Sequence, residues 1–116
     1  MSYFFAVRGW LEVDPDKFNS IILEIERLIL TATDEKHKLY LKGWVYKQVI
    51  VNWTGYVFYG ADVDEVGLHL LTSVIGDLAK IDGEIEGYFQ VRGEDNGERY
   101  DIIVEDGEVN IRNGIV

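Results

Sequence analysis

The side chains best suited to acid–base or metal chemistry are two histidines and a set of carboxylates. His37 lies in a predicted charged loop and His69 on the polar face of a predicted helix, and neither has the His-x-x-x-His spacing of a metal site. Glu84 and Glu86 alternate along a predicted strand, which puts both carboxylates on one face, where a pair can exchange protons with a substrate. In so acidic a segment such pairs also arise by chance, and no nucleophile accompanies them.

Other motifs also have structural explanations. Residues 94–98 (EDNGE) have the composition of a calcium loop but lack the spacing of an EF-hand, and Asn96-Gly97 predicts a tight hairpin turn instead. The chain has no cysteine, which excludes thiolate metal sites, a cysteine nucleophile and disulfides. No serine lies in a nucleophile elbow, and there is no glycine-rich phosphate loop. We therefore predict no catalytic residue, no metal, no cofactor and no enzymatic activity.

The negative charge is concentrated in the second half of the chain. The net charge is −10; residues 1–61 hold 7 acidic and 7 basic side chains, whereas residues 62–108 hold 14 acidic and 3 basic ones. Such a surface repels nucleic acid, because phosphate binding normally requires lysine and arginine. It attracts a basic protein and speeds their encounter. The alternative explanation is that the acidity only maintains solubility.

Length and hydropathy predict one soluble domain spanning residues 1–116. Hydrophobic residues make up 47% of the chain, which is enough for a packed core. The first residues lack the basic region of a signal peptide, and no apolar run approaches the ~20 residues that span a bilayer. We expect a cytoplasmic protein that does not bind membranes.

Hydrophobic periodicity predicts two helices and six strands. Asp14 as the N-cap and Pro15 as the first helical residue predict where the first helix begins. Asp62 and Glu65 form a capping-box pattern at the start of the second helix. The predicted elements are a strand at 3–13, a helix from 15 to 31–33, a charged loop at 34–38, strands at 39–46 and 54–61, a helix from 62 to 82, and strands at 84–92, 100–105 and 108–112.

The first six elements follow the order β-α-β-β-α-β. This order is typical of the ferredoxin-like fold, an antiparallel sheet with two helices on one face. The last two strands, joined at Asp106-Gly107, are expected to add a C-terminal hairpin. The fold class is therefore predicted to be α+β.

Alternation along the strands predicts which residues point away from the helices. The helix-facing set is apolar and includes Leu41 and Val45. The opposite set is rich in tryptophan, tyrosine and arginine, the residue types enriched at binding hot spots. Its members are Arg8, Trp10, Tyr40, Lys42, Trp44, Tyr56, Phe58, Tyr88, Gln90 and Arg92.

Three uses of this aromatic face are compatible with the sequence. It can dock another protein, including a second copy of the chain in a homodimer. It can stack single-stranded RNA bases, although the acidic half opposes phosphates and no RNP pattern is present. It can also be an ordinary second core, covered by an extra strand or by closure of the sheet.

Three short segments of the sequence resemble those of the small immunity proteins encoded beside bacterial polymorphic toxins, including the toxins of contact-dependent growth inhibition. They are GWLEVD at 9–14, GYVFYG at 55–60 and EGYF at 86–89. The resemblance implies a cytoplasmic protein that binds and blocks one cognate toxin domain, without catalysis or cofactor. Immunity proteins do not share one fold, so no set of binding residues is transferred.

The charge pattern independently favours this mechanism if the toxin is a nuclease with a basic cleft, which carboxylates can fill in place of phosphates. Aromatic anchors then slow dissociation. The residues predicted to bind the partner are Glu84, Glu86, Glu94, Asp95, Glu98, Asp101 and Glu105 for electrostatics and Trp10, Trp44, Tyr56 and Tyr88 as anchors. The alternative function is a homo-oligomeric structural or regulatory domain.

Overall fold

The first strand lies inside a six-stranded antiparallel sheet, with neighbours on both sides. The computed structural model describes residues 3–47, 50–95 and 97–113. Its elements are β1 (Phe5–Val13), α1 (Pro15–Thr31), α2 (Glu35–Leu41), β2 (Trp44–Tyr46), β3 (Gly55–Val63), α3 (Glu65–Ala79), β4 (Glu86–Gly93), β5 (Arg99–Glu105) and β6 (Glu108–Asn113). The strands run in the order β2-β3-β1-β4-β5-β6. The predicted α+β class with an antiparallel sheet is confirmed, and the third helix was not predicted.

The core lies on one face of this sheet. In β1 the odd-numbered residues Phe5, Val7, Leu11 and Val13 are buried, and the register continues their face through the buried residues of β3 and β4. Apolar residues from all three helices complete the same cluster. We call the opposite side of the sheet the open face.

Helix α1 agrees with its prediction. The Asp14 carboxylate accepts a hydrogen bond from the Asp16 backbone N–H at 3.3 Å, and Pro15 occupies the first helical position, where its missing N–H costs nothing. Phe18 and Ile25 bound the buried stripe of the helix, which repeats at helical spacing. The N-cap and the helical spacing of the apolar residues are therefore enough to predict this helix from the sequence.

Helix α2 corrects two predictions, the charged loop at 34–38 and the long strand at 39–46. Asp34 is an N-cap whose carboxylate accepts from the backbone N–H groups of Lys36 and His37 at 2.8 and 3.3 Å. Tyr40 and Leu41 are both buried, as neighbouring residues can be in a helix but not in a one-sided strand. Only the last three residues of the predicted strand form β2.

The cap of α3 is Asp64, which corrects the prediction of a capping box built on Asp62. Asp64 accepts from the Gly67 N–H at 2.9 Å and from the Lys36 ammonium at 2.7 Å, and these bonds, chiefly that of Lys36, lower the pKa of its carboxyl. Asp62 remains in β3, opposite Ala6, because the strand ladder continues to Val63.

The C-terminal hairpin extends the sheet beyond β4, as predicted. Asp106 and Gly107 turn the chain with φ values of 54° and 74°, the left-handed conformation that two-residue hairpin turns require. The other predicted turn includes Asn96, which lies outside the described residues.

A buried phenol joins α2 to the sheet, and we expect it to make stability depend on alkaline pH. The Tyr59 hydroxyl donates to the Tyr40 carbonyl oxygen at 2.7 Å, and burial raises the pKa of Tyr59 to about 12. The unfolded chain releases this proton near pH 10, so the free energy of unfolding should fall as pH rises from about 10 to 12.

Replacing Tyr59 with phenylalanine should remove that part of the alkaline slope. At pH 7 it should cost only about 1 kcal/mol, because the Tyr40 carbonyl keeps its bond from the Gly43 N–H. Urea unfolding of both proteins between pH 7 and 12 measures the difference. Identical slopes would mean that Tyr59 does not titrate differently in the two states.

Candidate protein-binding surface

A continuous row of apolar side chains crosses five strands of the open face. In the antiparallel register Trp10 of β1 lies between Phe58 of β3 and Tyr88 of β4. Val45 of β2 continues the row beyond Phe58, and Ile103 of β5 continues it beyond Tyr88. Phe58 is 39% exposed and Val45 61% exposed, and the other three are half-buried. We call these five residues the aromatic stripe.

The rings of the stripe are held by neighbours on the same face. Trp10 and Tyr88 have ring centroids 5.6 Å apart, and Tyr56 stacks on Phe58 at 5.9 Å with an interplanar angle of 13°. The Tyr88 hydroxyl donates to the Asp101 carboxylate at 2.9 Å, a bond that raises the pKa of the phenol. The predicted anchors Trp10, Tyr56 and Tyr88 therefore lie together, on rigid strands.

The fourth predicted anchor, Trp44, is in the core and cannot contact a partner. It is only 6% exposed, with its ring centroid 5.0 Å from that of Tyr59 and 6.0 Å from that of Phe89. Tyr40, also expected on the open face, is buried in α2. Val45, which was predicted to face the helices, lies on the open face. Alternation correctly separated Trp44 from Val45 but assigned each to the wrong face.

Charges on the open face differ between the two sides of the stripe, since one side carries only carboxylates and the other is mostly basic. On one side Glu12 pairs with Glu86 and Glu105 with Glu108, and the pairing of Gly87 with Val104 puts Glu105 beside Glu86. We call these four the glutamate row. The other side, which we call the arginine side, contains Arg8, Arg92, Arg99 and Arg112, together with Asp62 and Asp101.

The glutamate row continues into a carboxylate cluster around an exposed tryptophan. Glu12, Asp14, Glu84 and Glu86 line one shallow depression with Trp53, whose side chain is 82% exposed. We call these five residues the acidic end. Within the described part of the chain, none of the four carboxylates forms an ion pair with a basic side chain. A basic group of another protein would find unneutralised negative charge beside an apolar ring.

A tight turn presents Trp53 to solvent. Val51 and Thr54 form a bridge around Asn52 and Trp53, and Asn52 adopts a φ of 64°, a conformation that asparagine tolerates better than most residues. No element is predicted from the sequence for residues 47–53, so Trp53, the most exposed of the described large hydrophobic residues, was missed. Its signal was the Asn52 beside it, a residue favoured in turns.

The remaining predicted carboxylates do not join the acidic end. Glu94, Asp95 and Glu98 lie in the β4–β5 connection, at the opposite end of these strands from Glu86. Glu94 accepts from the Phe4 N–H at 2.9 Å, and Asp95 accepts from the Tyr3 hydroxyl, which lowers the pKa of its carboxyl. Glu94 and Asp95 therefore hold the residues before β1 against the β4–β5 connection. Of the seven predicted acids, only Glu84 and Glu86 lie at the acidic end, and Glu105 follows in the glutamate row.

Comparison of the chain with protein-family models, curated proteins and solved structures gives no match. Among the described residues, no group of three histidine or acidic side chains is arranged to hold a metal ion. None of the described helices combines the length and apolarity needed to cross a bilayer.

Proposed function

We propose that this chain is a binding protein that neutralises a cognate toxin by covering a positively charged surface of it. This is the role of the immunity proteins that the sequence resembles, and it needs neither catalysis nor a cofactor. The proposal implies a cytoplasmic protein whose activity consists entirely of binding.

The observation that carries the proposal is the position of Trp53 among four unneutralised carboxylates. An indole that is 82% exposed is costly in water and is a frequent anchor in protein interfaces. The carboxylates around it select a basic partner and oppose acidic proteins and nucleic acid. Lysine and arginine side chains can meet both features at once, because they pair with carboxylates and pack over an indole face.

We infer that β1-α1-β2-β3-α3-β4 is a ferredoxin-like core with α2 inserted before β2. The order β2-β3-β1-β4, with every neighbour antiparallel, supports this interpretation. Surface connections between elements tolerate insertions, and α2 lies in the connection between α1 and β2. The β2–β3 connection carries Trp53, so the anchor can vary without disturbing the sheet.

The proposal predicts that Trp53→Ala weakens binding to the cognate toxin by about 30-fold or more. That loss is typical of a tryptophan at the centre of an interface. The partner to use is the protein encoded immediately upstream, and its affinity for the wild-type chain and the variant can be measured by calorimetry. The variant should unfold at the same temperature as the wild type, because the ring contributes little to the core.

Leu30→Ala is the matched control, since Leu30 is 81% exposed and lies in the last turn of α1. It should bind as the wild type does. Failure of the wild-type chain to bind the upstream product, or an unchanged affinity of Trp53→Ala, would contradict the proposal. Quenching of tryptophan fluorescence by a single-stranded oligonucleotide would instead favour RNA binding.

A further inference from the structure

We propose that two copies of the chain pack open face to open face, about a two-fold axis parallel to the aromatic stripe. The dimer would form in the absence of any toxin. The dimer goes beyond the proposed function but shares Glu12 and Glu86 with the acidic end. It is tested on the purified chain alone, so that its failure can be told apart from failure of the proposed function.

The size of the face is suitable for an interface. Neighbouring strands lie about 4.8 Å apart and successive residues on one face about 6.8 Å apart. On the open face β1, β3, β4 and β5 place four residues each, β6 places three and β2 one, and these 20 positions cover roughly 650 Å² in projection. Because side chains make the face uneven, its accessible area exceeds the projected area. It approaches the ~800 Å² that each partner buries in an interface of standard size. The stripe supplies an apolar centre and the charges a polar rim, as in protein interfaces generally.

The charge pattern selects the second occupant as another copy and also selects the symmetry. Two faces that meet are related by an axis lying in the plane between them. An axis parallel to the strands would place the glutamate row against itself and is repulsive. An axis parallel to the stripe reverses the strand direction, so the glutamate row of each copy lies over the arginine side of the other.

We call the open-face residues of one strand a column, and in this dimer each column packs on the same column of the second copy. Two columns show the charge match. Within β1, Glu12 and Arg8 lie one step on either side of Trp10, so each Glu12 faces the Arg8 of the second copy. Within β6, Glu108 and Arg112 flank Asn110 and face each other in the same way. These two columns give four ion pairs across the dimer, since each pairing occurs twice.

The other columns are compatible with the same axis, with one exception. In β3 the Tyr56 ring faces Gly60, above which a Cβ would meet no atom within 4 Å, so a bulky residue meets free space. In β5 Glu105 faces Asp101, an unfavourable pair. The four ion pairs of the β1 and β6 columns outnumber the two Glu105–Asp101 contacts.

Complementary charge reversals test the dimer and its axis together. The double variant Arg8→Glu/Arg112→Glu and the double variant Glu12→Arg/Glu108→Arg each place like charges in both columns. Each alone should therefore dimerise at least 10-fold more weakly than the wild type. Mixed, they should form a heterodimer, because every column then pairs opposite charges. Sedimentation equilibrium measures the association, and native mass spectrometry identifies the heterodimer by its mass.

Arg8, Glu108 and Arg112 are exposed, and Glu12 is half-buried on the open face, where its carboxylate accepts from the Trp10 indole N–H. Both variants should keep the wild-type circular dichroism spectrum, because none of the four side chains is in the core. Leu30→Ala is the control, since Leu30 is exposed in the last turn of α1, outside the open face, and should leave dimerisation unchanged. A wild-type chain that is strictly monomeric at several hundred micromolar would overturn the proposal. So would variants that dimerise normally alone, or a mixture that yields no heterodimer. These results are obtained without toxin, so the proposed function keeps its own test, which is made with the partner present.

Discussion

Replacing Gly9 with alanine is expected to destabilise the native sheet severely. A Cβ at this position would lie 2.1 Å from the Tyr88 carbonyl oxygen and 2.5 Å from the Phe89 Cα. Both atoms belong to the backbone of β4, which is hydrogen-bonded to β1 in register and cannot move aside alone. The Phe89 ring, 0% exposed, fills the space above Gly9, so β1 and β4 must separate to admit a methyl group.

The expected loss exceeds the ~1–3 kcal/mol of an ordinary overpacked core, because backbone and not a flexible side chain is displaced. Against a total stability of about 5–15 kcal/mol, a loss above ~3 kcal/mol removes a large share of the free energy of unfolding. Thermal unfolding followed by circular dichroism measures it, and the midpoint should fall by more than about 10 °C.

The matched control is Gly60→Ala, at the position in β3 that pairs with Arg8. A Cβ at Gly60 meets no atom within 4 Å, because it points to the open face. Alanine also restricts the unfolded chain, so this variant should be unchanged or more stable by about 0.4–1 kcal/mol. If both variants unfolded at the same temperature, the close approach of β1 and β4 at Gly9 would be wrong.

The elements with strong local signals could be predicted from the sequence. Asp14-Pro15 and a regular apolar period specify α1, and Asp106-Gly107 specifies the last turn, because each signal acts within a few residues. Helix α2 is different. Seven residues are too short to show a period, and burial of Tyr40 and Leu41 against other elements stabilises the helix.

The candidate site depends on features that local patterns do not encode. Alternation shows that Trp44 and Val45 face opposite sides, but which side is the core depends on where β2 joins the sheet. The aromatic stripe exists because residues far apart in sequence, such as Val45 and Ile103, fall in the same row of the register. The acidic end likewise joins residues from β1, the β2–β3 connection and β4, so only Glu84 and Glu86 of it were predicted.

Reversing the charge of Glu84 and Glu86 is expected to slow association with a basic toxin by about 10- to 100-fold at low ionic strength. Opposite potentials raise the rate of encounter, and replacing two carboxylates with lysine removes attraction and adds repulsion at the acidic end. The difference should shrink above about 0.5 M salt, where the screening length falls to a few ångströms. Dissociation should change less, because Trp53 remains in place. Stopped-flow fluorescence at several salt concentrations measures both rates.

A second double variant, Asp77→Lys/Glu98→Lys, separates local from overall charge. It changes the net charge by the same amount, but Asp77 is on α3 and Glu98 is in the β4–β5 connection, and both are exposed. If the toxin binds at the acidic end, this variant should slow association much less than the replacement of Glu84 and Glu86 with lysine does. If the two variants slowed association equally, the partner would be responding to the total charge of the chain, and the placement of the binding surface around Trp53 would be wrong.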